Sequence, residues 1–215
     1  MNLIVIDPSL EPECLAVAKR NKLKYEGLSS ECLEETRTIL NLSQKGLCAY
    51  CERTAQIVFI EHYFPRKSGL QYEVDFQNFL GVCSGKIYSN KHQSTFTSIC
   101  GNYKENSILK INPKIQEHIE KLSYDSEAKI FSSEQTHNND LNEVLNLNAQ
   151  ELVSGRIKEF GRTMTLIDRI AKKNNQGQKN SYEKRIKVLE KLKIEFLGYH
   201  LFRLKKLEEK EANES

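Results

Sequence analysis

Cys48-Ala-Tyr-Cys51 sets two thiols two residues apart. At that spacing two thiolates take one edge of a metal tetrahedron without straining the backbone. Zinc needs four such ligands, and the only cysteines beyond position 51 are Cys83 and Cys100. Those four are the expected structural zinc site, with the wide second pair closing around the sequence between. A buried, apolar role would suit a lone cysteine, but it accounts poorly for the tight first pair.

Between the pairs, Ile60-Glu61-His62-Tyr63-Phe64-Pro65 reads as a strand that ends in an acid and a histidine, and Asp75-Phe76-Gln77-Asn78-Phe79-Leu80 follows at loop distance. This pattern resembles the HNH endonucleases, in which an acid-His dipeptide at a strand end, an Asn in the next loop and a last polar ligand on a short helix are often framed by zinc. With Asn112-Pro113 and Leu145-Asn-Leu-Asn148 added, the order is similar to that of the HNH subunits of the Septu and retron-linked anti-phage systems. The similarity runs over roughly residues 25–160. It implies an α+β fold: a ββα-metal core with a four-cysteine zinc site, flanked by N-terminal helices and a C-terminal helical hairpin. The implied activity is metal-dependent hydrolysis of nucleic-acid phosphodiesters, with DNA the default substrate and RNA, including tRNA, the alternative. The implied partner is an ABC-type ATPase.

Such hydrolysis needs an activated water, a cation to neutralise charge on the phosphate, and help for the leaving oxygen. Carried over from the resemblance, His62 is the general base, suited by a pKa near neutrality. Glu61 is expected to bind magnesium or manganese through oxygen, and Asn78 to hold the backbone or ring of His62. One piece departs from the pattern. Gly101 stands after the last cysteine, where the family commonly has a ligand, so Asn102 becomes the expected second cation ligand and His92 the runner-up. Lys104 is expected to contact substrate phosphate. The competing class of function is a zinc-stabilised nucleic-acid-binding or scaffold subunit whose site has decayed, and Gly101 keeps it open.

Of the 215 residues, 39% are hydrophobic and 28% charged, which is ordinary globular composition with room for one core and an appendage. The opening Met1-Asn-Leu-Ile-Val-Ile-Asp-Pro8 lacks a basic flank and has only four consecutive apolar residues. Neither a signal peptide nor a membrane span is expected from it, and a cytoplasmic location follows. In a reducing compartment Cys14 and Cys32 should be unpaired, buried fillers. No Gly-x-x-x-x-Gly-Lys-Ser/Thr loop occurs, so nucleotide use of that kind would have to come from the partner.

Four divisions position these residues. Residues 1–47 form an N-terminal helical segment, in which Ser29 or Ser30 caps a helix running toward Gly46. Residues 48–112 hold the zinc and HNH core, with a strand over 55–62, an exposed loop or short hairpin over 84–98 and a helical turn after Cys100. Residues 113–148 are a hairpin (115–133) and a polar linker (132–140). His118 and His137 fall outside any ligand spacing. Residues 149–215 are a basic helical hairpin, one helix over 149–173 capped by Asn148 and another over 181–206 in which His200 is packed. From 151 to 207 there are 15 Lys or Arg against 6 acids, net +9, leaving −6 on the rest of a chain of net charge +3. That excess fits a nucleic-acid footprint or a partner surface.

Overall fold

The structure is a computed structural model that describes residues 1–55, 58–88, 95–173, 182–191 and 193–214. It begins with α1 (Glu13–Arg20) and α2 (Ser30–Ser43). Ser29 caps α2, its hydroxyl accepting the Cys32 N–H at 3.2 Å. Cys32, Thr36 and Leu40, four residues apart, make the buried face. The helix ends where Lys45 and Gly46 turn to positive φ. Cys14 of α1 and Cys32 of α2 are joined by a disulfide, so the expected unpaired fillers are a covalent staple instead.

β1 (Phe59–His62) pairs antiparallel with β2 (Phe79–Val82), in a register that sets Glu61 opposite Leu80 and His62 opposite Phe79. The Gln44 side chain extends this pairing. Its amide accepts the Gly81 N–H and donates to the Gly81 carbonyl, both at 2.7 Å. A Cβ at Gly81 would lie 2.8 Å from Val58 Cγ1, so only glycine fits between. A second hairpin, β3 (Lys86–Tyr88) with β4 (Phe96–Ser98), carries the chain toward α3 (Cys100–Lys104). The tip of that hairpin, including His92, lies outside the described residues.

Residues 116–120, expected as part of a strand hairpin, are instead helix α4 (Gln116–Glu120). The hairpin is the shorter pair β5 (Leu122–Tyr124) and β6 (Ile130–Ser132). The expected polar linker is also helical: α5 (Gln135–Asn139) runs into a π turn, Asp140–Val144. What orders it is a buried carboxylate. Asp140 accepts the N–H groups of Lys110 and Ile111, while His137 is buried against the His118 ring at 4.7 Å.

Asn148 does not cap the following helix through its side chain. Its amide pairs with both backbone groups of Ile130, at 2.8 and 2.9 Å, and α6 (Gln150–Lys173) starts beyond it. The expected second helix is two, α7 (Tyr182–Lys191) and α8 (Leu197–Glu214). Between them Phe196 takes φ 56°. Its N–H donates to the Glu52 carbonyl at 3.1 Å, and the Gly198 N–H to the Glu52 carboxylate at 3.1 Å. The main buried apolar cluster draws on every division, from Met1 to Tyr199. A smaller one, centred on Leu189 and Leu204, joins α6, α7 and α8.

Part of the basic excess is spent internally. Arg156 is buried, donating to the carbonyls of Ala128 (2.9 Å) and Leu147 (2.7 Å). Arg162 and Arg185 pair with Glu159 and Asp168. No helix among the described residues is long and apolar enough to cross a membrane.

Candidate functional site

The four zinc-candidate cysteines converge. Cys48 and Cys51 lie on a tight knuckle in which the Cys48 N–H donates to the Arg53 carbonyl and the Glu52 N–H returns to the Cys48 carbonyl. The knuckle is tied to β2 by the Ala49 N–H on the Gly81 carbonyl, 2.9 Å. Cys83 follows β2 directly, and Cys100 opens α3 with φ 53°. The Sγ atoms of Cys48 and Cys100 are 3.8 Å apart, those of Cys51 and Cys83 3.9 Å, and all four lie within 4.8 Å of one another. With zinc–sulfur bonds of about 2.3 Å, a tetrahedron has edges of about 3.8 Å. The cluster fits that ion.

Charge points the same way. Hydrogen bonds from Cys100, Cys48 and Cys51 pull the Cys83 thiol far down. Burial, then the other three sulfurs, pushes Cys100 well up. Four clustered thiols, three of them buried, cannot all ionise together unless a cation balances them. Zinc bound here would join the knuckle, the end of β2 and the start of α3, and would contribute folding free energy rather than chemistry.

His62 ends β1 with its ring between two aromatic edges, Tyr25 at 4.8 Å and Phe79 at 4.9 Å. Its Nε2 lies 2.9 Å from the Glu73 carbonyl. A carbonyl can only accept, so Nε2 carries the proton and Nδ1 keeps a lone pair. Burial, reinforced by the Arg66 and Lys104 charges, lowers the His62 pKa against the opposing Glu73 hydrogen bond. The ring is therefore neutral at physiological pH, as a base must be.

Glu61, adjacent in the strand, points toward α3. Its Oε1 accepts the Lys104 ammonium at 2.7 Å, and the same ammonium donates to the His62 carbonyl at 3.0 Å. Lys104 is 1% exposed, so the expected phosphate contact is corrected: this lysine is spent inside the protein, because Glu61 and a strand carbonyl need a donor there. Burial raises the Glu61 pKa, and Lys104 holds it down. A Cβ on residue 101 would come within 2.7 Å of Glu61 Oε2. With glycine there, the Glu61 carboxylate lies directly against the start of α3.

Asn102 gives its amide donor to Ser98 Oγ at 2.5 Å. Among the described residues the four cysteines are the only group of three or more His, Cys, Asp or Glu side chains close enough to share a metal. A divalent ion at Glu61 would find one carboxylate oxygen, Oε2, outside the Lys104 ion pair.

Asn78 is buried and braces the loop after β1, gripping Phe64 rather than His62 itself. Its Oδ1 accepts the Phe64 N–H at 2.8 Å, and its Nδ2 donates to the Phe64 and Tyr72 carbonyls, each at 2.9 Å. Asn78→Ala would strand those three backbone groups. The expected loss is about 2–4 kcal/mol, since a buried group left unpaired costs about 1–3 kcal/mol. It is read as a lower denaturant midpoint at unchanged slope. Asn78→Asp, which would set a buried carboxylate oxygen against the Phe64 and Tyr72 carbonyls, should cost at least as much.

Three residues of the site escaped the sequence reading. Glu73 and Tyr25 hold His62, and Glu52 anchors the knuckle, its carboxylate taking the Met1 ammonium at 3.0 Å. Glu52 follows Cys51 and so had a positional signal. An exposed-looking acid and a tyrosine in separate loops had none.

Fold and site together define a protein of mixed α and β structure with small two-stranded sheets and a four-cysteine cluster that can hold a metal such as zinc. No family model matches the chain, and no curated protein matches it.

Proposed function

We propose that this chain is an HNH-type endonuclease, the effector subunit of an anti-phage defence complex gated by an ABC-type ATPase, with His62 as the base that activates the attacking water. The observation that carries the reading is the His62 to Glu73 hydrogen bond, which leaves Nδ1 as a proton acceptor at the end of β1. On this reading β1, β2 and, after the intervening β3–β4 hairpin, α3 are the elements of a ββα-metal core, with the four cysteines gathered at the knuckle, the end of β2 and the start of α3. Magnesium or manganese, when bound, would neutralise charge on the phosphate. Glu61 Oε2 is its one candidate donor. DNA is the favoured substrate and RNA, including tRNA, the alternative, and the cytoplasm is the compartment this reading calls for.

A second reading draws on the Lys104 to Glu61 ion pair, which already fills the place expected for the cation. On it the chain is a zinc-stabilised binding or scaffold subunit with a decayed site.

One experiment separates them. The chain is co-expressed with an ABC-type ATPase of the kind the resemblance implies, the assembly sized by light scattering, and DNA, RNA and tRNA offered with ATP and magnesium or manganese. The nuclease reading expects a stable complex, burying more than about 1,000 Å², that cleaves one of these substrates. A stable complex that cleaves none establishes the scaffold. Two proteins that stay apart at micromolar concentration overturn the gated-effector reading.

A further inference from the structure

The Cys14–Cys32 disulfide closes an 18-residue span of sequence, and the turn inside that span delivers Tyr25 to His62. Besides packing on Phe79 at 6.1 Å, Tyr25 and its turn make three contacts around His62. The Tyr25 ring meets the His62 ring edge-on at 4.8 Å, with an interplanar angle of 77°. The Tyr25 N–H donates to the Glu73 carboxylate at 3.2 Å, while the carbonyl of the same Glu73 takes the His62 Nε2 proton. Arg66, just beyond β1, lies over the outer face of Tyr25 at 5.3 Å and pairs with Glu26 of the turn. Glu73 therefore links Tyr25 and His62 through its carboxylate and its carbonyl, and Arg66 packs on the Tyr25 ring.

The turn is short and only partly buried, with Tyr25 and Leu28 packed on the edge of the main apolar cluster. Tyr25–Gly27 is a single 3-10 turn, and Lys22 before it sits at φ 52°. None of its residues is fully buried. Its position depends on where α1 and α2 stand relative to each other, and the disulfide is the covalent bond that fixes that.

We propose that Tyr25 is a positioning residue for the His62 imidazole and that the Cys14–Cys32 disulfide holds it there, so that the site loosens when the disulfide is reduced. The proposal rests on the reading of His62 as a base. The redox step is ordinary: the sulfur–sulfur bond takes two electrons and two protons and becomes two thiols. With a phosphine as reductant, phosphorus is oxidised and water supplies the oxygen and the protons.

The test uses the full chain with its metal, labelled with nitrogen-15 at histidine, before and after tris(2-carboxyethyl)phosphine. The phosphine is chosen because it competes for zinc less than a dithiol does. Reduction should move the His62 ring signals while those of His118, His137 and His200 stay. Tyr25→Ala in the oxidised chain should reproduce the reduced His62 signals. Where the complex cleaves nucleic acid, it should lower kcat by tens of fold to about a hundredfold, the scale of a reacting group misplaced by an ångström, with KM nearly unchanged. Tyr25→Phe should restore both. The Cys14→Ser, Cys32→Ser double variant should match the reduced chain with no reductant present.

His62 signals that ignore reduction overturn the proposal, as does Tyr25→Ala with unchanged His62 signals. If the signals respond but no preparation cleaves nucleic acid, the positioning of His62 stands and the nuclease reading falls.

Discussion

Cleavage by the complex is expected to fall by about a hundredfold to ten-thousandfold on His62→Ala, the usual range for loss of a general base, while zinc content stays the same. The ring is half-buried between Tyr25 and Phe79 and holds the Glu73 carbonyl, so a modest loss of melting temperature should accompany it. His62→Asn, which keeps a donor for that carbonyl, separates the two effects: stability should recover in part and activity should not. The pH profile carries a sign. The base works only when neutral, and burial lowers its pKa. The acid limb of the rate should therefore lie below the ordinary histidine value of about 6.5. Cleavage by His62→Ala at the wild-type rate, with contaminants excluded, would remove His62 from the mechanism.

Removing the metal should have the largest effect on the fold. Purified chain is expected to hold one zinc, and a chelator or Cys83→Ser should cause a loss of cooperative melting across β1, β2 and α3. Structural zinc in small peptides is bound with about 10–16 kcal/mol of apparent free energy, comparable with the whole stability of a typical domain at about 5–15 kcal/mol. Cys83 is the informative ligand because it is the least buried of the four, so a serine there changes packing least. Metal-free protein with an unchanged melting curve would take the cluster out of the argument.

What could be read in advance was what is local. The Ser29 cap, the Cys48 to Cys51 edge and the strand ending at His62 each rest on a few neighbouring residues, and each is present. The far pair of cysteines needed the fold to bring them within reach. What stayed hidden depends on partners distant in sequence. Residues 132–140 look like linker because nothing in them is apolar enough to mark a helix, and only the amides of Lys110 and Ile111 reveal why Asp140 is buried. The break before α8 has no proline or glycine at Phe196 to announce it, since the Glu52 carbonyl captures the Phe196 amide. Cys14 and Cys32 sit on separate helices, and a spacing of 18 carries no pairing signal. Gly101 read as a missing ligand until Glu61 was seen against it.

The bonds between Glu52 and the start of α8 also bear on the order in which the molecule is made. Gly198 reaches Glu52 across 146 residues, whereas the farthest cysteine pair, Cys48 with Cys100, spans 52. A longer loop costs more entropy to close, and the chain leaves the ribosome N-terminus first. The whole thiol set has therefore emerged well before Phe196 is synthesised, and the knuckle can close while the last helices are still being made. Those helices then meet a finished acceptor in Glu52, so the C-terminal third arrives on a template rather than helping to build one.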